Sequence, residues 1–287
     1  MYFTGFADEA AKGIDGQIAA TLELGWKYIE SRNIDGKNIH DISDEEFDIV
    51  CGKLEDAGVG INCFGSAIAN WGKKIDEPFD SSIAEAKRAI PRMQRLGAKL
   101  VRIMSFAVLE DREPDDQMEQ ERFRRVRELV KMFADAGITA VHENCMNYGG
   151  MSWQHTLKLI ENVPRLRLVY DTGNPVFTLD RSKDKPYPRQ SSWEFYKNVR
   201  EFISYVHVKD GKWDSENNST IFTYPGEGDG DVVRILKDLS ATGYDGGISI
   251  EPHLAVVHHD KSVTSDEQIM YSNYIEYGKR VMEIMNN

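Results

Sequence analysis

Val169-Tyr170-Asp171-Thr172-Gly173-Asn174 is a short apolar run that ends in a carboxylate at a glycine turn. The second half of the chain repeats the pattern in Val141-His142-Glu143-Asn144, in Val206-His207-Val208-Lys209-Asp210 and in Ile248-Ser249-Ile250-Glu251-Pro252-His253. A side chain at the C-terminal tip of a parallel strand points to where α/β barrels bind ligands. One charged tip is ordinary. Four in succession, supplying Glu143, Asp171, His207 and Glu251, form a set. Three carboxylates and one imidazole suit a divalent ion such as Mn, Mg, Co or Zn better than a structural thiolate zinc.

The rest of the chain alternates strand and helix about eight times. Tyr2 to Phe6 reads as a strand, and Ile14 to Leu24 as a helix stopped by Gly25. Ser43-Asp44-Glu45-Glu46 has the form of a capping box, with Gly58 as the matching stop. Phe123, Val126, Val130 and Phe133 form a helical stripe between about Asp116 and Ala136. Ser191 to Glu194 reads as a second capping box, and a last helix starts near Ser265. Parallel strands with helical crossovers follow from this alternation. Eight units over residues 1–287 predict a single (β/α)8 TIM barrel. A doubly wound open sheet is the runner-up, but no G-x-G-x-x-G follows the first strand. Of three long irregular stretches, 67–80, 175–190 and 211–230, the last two follow the tips at Asp171 and His207 and are expected to wall or cover the site.

In order and surroundings the tips resemble the xylose isomerase-like TIM-barrel family of sugar isomerases and epimerases. Glu143 stands in HEN, Asp171 in DTGN, His207 in HVKD and Glu251 in IEPH. The resemblance runs from Phe3 to about Met285. It implies one divalent metal held by Glu143, Asp171, His207 and Glu251, with Glu143 and Glu251 also moving protons. The expected activity is epimerisation or isomerisation of a sugar, keto-sugar or glycoside through a metal-stabilised enediolate. A lyase of the inosose dehydratase or 3-keto-glycoside kind is the alternative, and a sugar-binding barrel without activity is a third reading. Where many relatives carry histidine, this chain has Asn174. An amide is a poor metal ligand, so the departure disfavours a multinuclear site and leaves Asn174 as a substrate contact.

Other candidates follow from position. Alternation puts Lys209 on the same face as His207. Glu30 and Arg32 stand near the tip of the second strand, with Arg32 a substrate contact or one half of a surface ion pair. Trp71 is placed to stack on a sugar or to pack at the rim. His142 is expected to face the helices, and His253 to support the site. His258 and His259 read as a solvated pair. Pro225-Gly226-Glu227-Gly228-Asp229-Gly230-Asp231 approaches a helix where barrels often seat phosphate. Its acids argue against a phosphorylated substrate, and Glu227 is a candidate for a sugar hydroxyl.

Composition narrows the partners. Lys and Arg number 35 and Asp and Glu 47, a net charge of −12. Nucleic acid and anionic membrane surfaces need the opposite sign. The only histidine before residue 142 is His40, too few for a trinuclear zinc nuclease. Cys51, Cys63 and Cys145 are widely spaced and read as small buried apolar groups. No signal peptide or span-length apolar run is visible, so a cytoplasmic protein is expected, with a homo-oligomer left open. The expected partner is a small carbohydrate.

Overall fold

The computed structural model describes residues 1–256 and 265–286. His258 and His259 lie outside the described residues. Eight parallel strands form the barrel: β1 (Tyr2–Gly5), β2 (Tyr28–Ser31), β3 (Gly60–Phe64), β4 (Leu100–Ile103), β5 (Thr139–Glu143), β6 (Arg167–Asp171), β7 (Ile203–Val208) and β8 (Gly247–Ile250). Eight helices alternate with them: α1 (Ile14–Glu23), α2 (Asp44–Ala57), α3 (Asp80–Leu96), α4 (Glu119–Asp135), α5 (Trp153–Asn162), α6 (Ser192–Val199), α7 (Val232–Ala241) and α8 (Glu267–Asn286). The order β1-β8-β7-β6-β5-β4-β3-β2 is that of a nearly closed barrel, which removes the doubly wound alternative. The seam between β1 and β2 is held by a bridge from Phe6 to Glu30 and by Thr4 Oγ1 donating to Tyr28 O at 2.9 Å.

Local sequence explains most boundaries. Ser43 and Glu46 form the reciprocal capping box of α2, and Gly58 ends that helix at φ 64°. The second expected box is only half made. Ser191 accepts from the Glu194 N–H, but the Glu194 carboxylate turns to Lys197 at 2.8 Å. Helix α4 starts at Glu119 rather than near Asp116, because Gln117 is spent on the backbone of Leu109 and Glu113.

Register then sets the height of each tip. Asp171 is level with His207, and His207 with Ser249. Glu143 is level with Val169, one pleat lower than Asp171. Below the tips the lumen is filled by Cys63, Val141, Val169 and Tyr205. Asn62 donates to the Tyr205 hydroxyl at 2.9 Å and accepts from Thr4, so this floor is polar but satisfied. The larger apolar core lies between the strands and the helices. Ligands therefore meet the barrel only at the C-terminal tips.

Candidate active site at the C-terminal tips

Glu143, Asp171, His207 and Glu251 are all buried, and each places one ligand atom within 4.8 Å of the others. His207 sits at the centre. Its Nε2 lies 3.0 Å from the Glu30 carboxylate, which is acceptor-only, so Nε2 carries the proton. That leaves Nδ1 directed at the cluster. It is 3.7 Å from Glu143 Oε1 and 3.8 Å from Glu251 Oε2, too far for hydrogen bonds. His207 Nδ1 is buried without a hydrogen-bond partner. Such an orphaned atom is costly unless something else binds there.

Around this group stands a ring of charges from the first half of the chain. Arg102 Nη1 donates to Glu143 Oε2 at 2.9 Å. Arg32 donates to Asp8, to Glu9 and to Glu251 Oε1, each link at 3.0 Å or just above. Lys209 Nζ lies 2.9 Å from Glu251 Oε2 and 3.0 Å from Asp171 Oδ2. His253 is 2.9 Å from Glu9 through Nδ1 and 3.6 Å from Glu251 through Nε2. Asn174 Nδ2 donates to Glu143 Oε1 at 3.1 Å. Its backbone N–H donates to Asp171 Oδ1 at 2.7 Å.

These contacts shift the titrations in opposite senses. Burial would raise the Glu143 pKa, but Arg102 and His207 outweigh it and hold the group near about 2. Burial is likewise overcome at Glu251, where Lys209, His253 and Arg32 hold the carboxyl well below its usual range. Asp171 goes the other way, to about 6, because burial and the neighbouring glutamates outweigh Lys209. Burial would depress His207, yet Glu30 and Glu143 raise it to about 10. Six buried carboxylates (Asp8, Glu9, Glu30, Glu143, Asp171, Glu251) thus face three permanent cations (Arg32, Arg102, Lys209). The excess is negative. A proton on His207 Nδ1 and a divalent cation are alternative occupants of one place. The donor set, the orphaned His207 Nδ1 and the carboxylate behind the imidazole all fit such an ion.

A cavity of about 290 Å³ opens over the cluster, lined by Arg32, Arg102, Glu143, Lys209 and Glu251, with Trp71 among its walls. Trp71 is 40% exposed. Two sequence alternatives fall here. Of the two readings of Arg32 the surface ion pair is removed, because the residue is buried inside the charge ring and lines the cavity. Glu227 does not reach the group, because it is exposed and paired with Arg280 of α8 at 2.6 Å. The reason is Asp210. Its carboxylate accepts from the N–H groups of Gly211, Gly226, Gly228 and Gly230 at 2.8–3.1 Å. A Cβ on Gly228 would lie 2.2 Å from Asp210 Oδ1, so glycine is required for this wrap. Nor do the loop's own acids cap α7; Asp231 makes no side-chain cap bond. His142 packs behind the site, 3.0 Å from Ser105 Oγ and from Asn147 Oδ1, and burial lowers it to about 4.

Sequence reading missed Arg102, Asp8 and Glu9. Arg102 had a signal, as the one charge in Leu100-Val101-Arg102-Ile103. Asp8 and Glu9 follow the first strand directly, but nothing local says which cation they meet.

Comparison with known proteins matches residues 18–270 to the model of the xylose isomerase-like TIM barrel. The chain belongs to this family. It is similar in fold to a D-psicose 3-epimerase from Clostridium cellulolyticum H10 crystallised with D-tagatose, at 16% identity and TM-score 0.70, covering 99% of each chain. It is similar to the IolI protein with a bound zinc atom, at 15% identity and TM-score 0.72, covering 100% of this chain and 98% of the other. The probable 3-DHS dehydratase AsbF of Bacillus anthracis aligns at 15% identity and TM-score 0.67, covering 96% of this chain and 97% of that one. No curated protein matches the chain. Among the described residues no helix is long and apolar enough to cross a membrane.

Proposed function

We propose that the chain is a divalent-metal-dependent epimerase or isomerase of a neutral sugar or keto-sugar. The observation that carries this reading is the placement of Glu143 and Glu251. Both flank the same imidazole nitrogen, and each is kept ionised by its own cations. Two ionised carboxylates lining one polar cavity suit removal of a proton beside a carbonyl. Glu143, Asp171, His207 and Glu251 would hold the ion. When bound, the ion supplies Lewis-acid stabilisation for the charge that develops on the carbonyl oxygen.

The chain's own groups do the rest. One glutamate takes the proton from carbon. Lys209, kept protonated by Asp171 and Glu251, is a proton source beside the second glutamate. Return to the opposite face gives an epimer, and return to the neighbouring carbon gives an isomer. Glu30 holds the His207 ring, and Asn174 and Arg102 hold Glu143, so the bases are oriented before substrate arrives. Asp210 supports an unphosphorylated substrate. A nest of backbone N–H groups next to a barrel tip is an anion site, and here the protein's own carboxylate fills it.

The lyase reading is favoured by one feature, the Lys209 ammonium beside Glu251, which can protonate a departing hydroxyl. Incubating metal-loaded protein with a panel of keto-sugars in D₂O separates the readings. Deuterium incorporation without loss of water supports the epimerase or isomerase. Loss of water supports the lyase. No incorporation with any keto-sugar, despite binding, would leave only a sugar-binding barrel.

A further inference from the structure

The cavity over the cluster borders another one. A second cavity of about 250 Å³ shares Cys145 and Met146 with it. Met146 stands at the junction and is 50% exposed. The second space is lined by Met151, Phe177, Thr178, Leu179, Arg181 and Arg189, mostly from the loops after β5 and β6. Small-molecule sites commonly span roughly 300–1,000 Å³. Each cavity alone falls just short of that range, and the two together lie within it.

The lining restricts what fits. Arg189 is spent: its guanidinium stacks on Trp213 at 3.4 Å from the ring centre and donates to Phe177 O. Arg181 is paired with Glu110 at 2.5 Å. The second cavity therefore holds one cation balanced by an acid, Arg181, and one, Arg189, that is engaged by a ring face and a carbonyl. It offers apolar surface from Met151, Phe177 and Leu179 beside one polar ion pair. A neutral ring with a C–H face and a hydroxyl edge matches both. A purely apolar group would leave the Arg181–Glu110 edge facing hydrocarbon.

We propose that the chain takes a disaccharide-sized glycoside, with the reacting sugar over Glu143 and Glu251 and a second sugar ring beyond Met146. This rests on reading the first cavity as a sugar site, but not on any reaction there. The test is calorimetric binding by metal-loaded protein of glucose and galactose against maltose, cellobiose, lactose and sucrose. At least one disaccharide is expected to bind about tenfold more tightly than its monosaccharide, equivalent to ~1.4 kcal/mol. Leu179→Trp fills only the second cavity and should erase that advantage while leaving monosaccharide affinity unchanged. Val108→Phe fills it from another loop, should the first variant not fold. Equal affinity for mono- and disaccharides, an advantage that survives both substitutions, or no disaccharide binding overturns the proposal. A disaccharide advantage without proton exchange from any keto-sugar supports the subsite and sinks the catalytic reading instead.

Discussion

The two halves of the barrel contribute different things to one site. Strands β5 to β8 carry the groups that converge on His207 Nδ1, namely Glu143, Asp171 and Glu251. Strands β1, β2 and β4, with the turn after β1, carry Asp8, Glu9, Glu30, Arg32 and Arg102, which grip those groups from behind. Alone, the second half would bury acids with Lys209 as their only permanent cation. Alone, the first half would bury two guanidiniums against three acids with no pocket. The difference teaches that ligation and orientation are separable here, and that each can be removed without the other.

The largest effect is expected from removing a ligand. Asp171→Ala or His207→Ala should lower bound metal from about one ion per chain toward none, by elemental analysis of protein purified without chelator. Proton exchange should fall by at least ~10³-fold, since the ion's charge stabilisation is worth several kcal/mol. Full occupancy in both variants would show that the ligands lie elsewhere. Glu251→Gln is milder. It keeps an oxygen for the ion and removes the proton acceptor, so exchange should fall by at least ~10²-fold with metal partly retained. Near-normal exchange would leave Glu143 as the base.

Removing the grip tests the other half. Glu30→Gln should weaken metal affinity about 10–100-fold by releasing the His207 ring, while the four ligands stay in place. An unchanged affinity would break the distinction between the halves. A last test separates two histidines by the sign of their pH response in chelator-treated protein. Burial lowers His142 from 6.5 to about 4, so the unfolded chain binds more protons between those values. Its contribution is present above 6.5 and is lost as pH falls toward 4, by at most about 3 kcal/mol. His207 is raised to about 10, so its contribution is present below 6.5 and is lost as pH rises through 10. Denaturant titrations should show His142→Gln flattening the acid limb and His207→Gln the alkaline limb.

The ligand half was legible because each tip is a local event: an apolar run, a period-two alternation and a polar end. Glu143, Asp171, His207 and Glu251 were singled out as four such tips in succession, and the structure brings the four together. The gripping half was mostly not. Arg32 meets Glu251 across the seam, and Glu30 meets His207 across the lumen. Such pairs are set by barrel closure, which leaves no periodic trace in sequence. Glu227 misled for the same reason. Its loop was read from the helix that follows, whereas the loop is organised by Asp210 on the strand that precedes it. The barrel itself was readable because helix stops at Gly58 and Gly97 and alternating strands are again local.

The seam also orders events in time. β1 precedes the other seven strands in the chain, yet its one ladder partner is β8, with Tyr2 opposite Gly247. Toward β2 it has only the Phe6–Glu30 bridge and the Thr4–Tyr28 hydrogen bond, so its ladder must wait until β8 has left the ribosome. Pairings this distant in sequence are slow to form. Arg32 and Glu251 become neighbours only when that last edge closes. An ion bound at the tips would therefore arrive late and act on the unfolding rate, locking the closed ring rather than guiding the chain toward it.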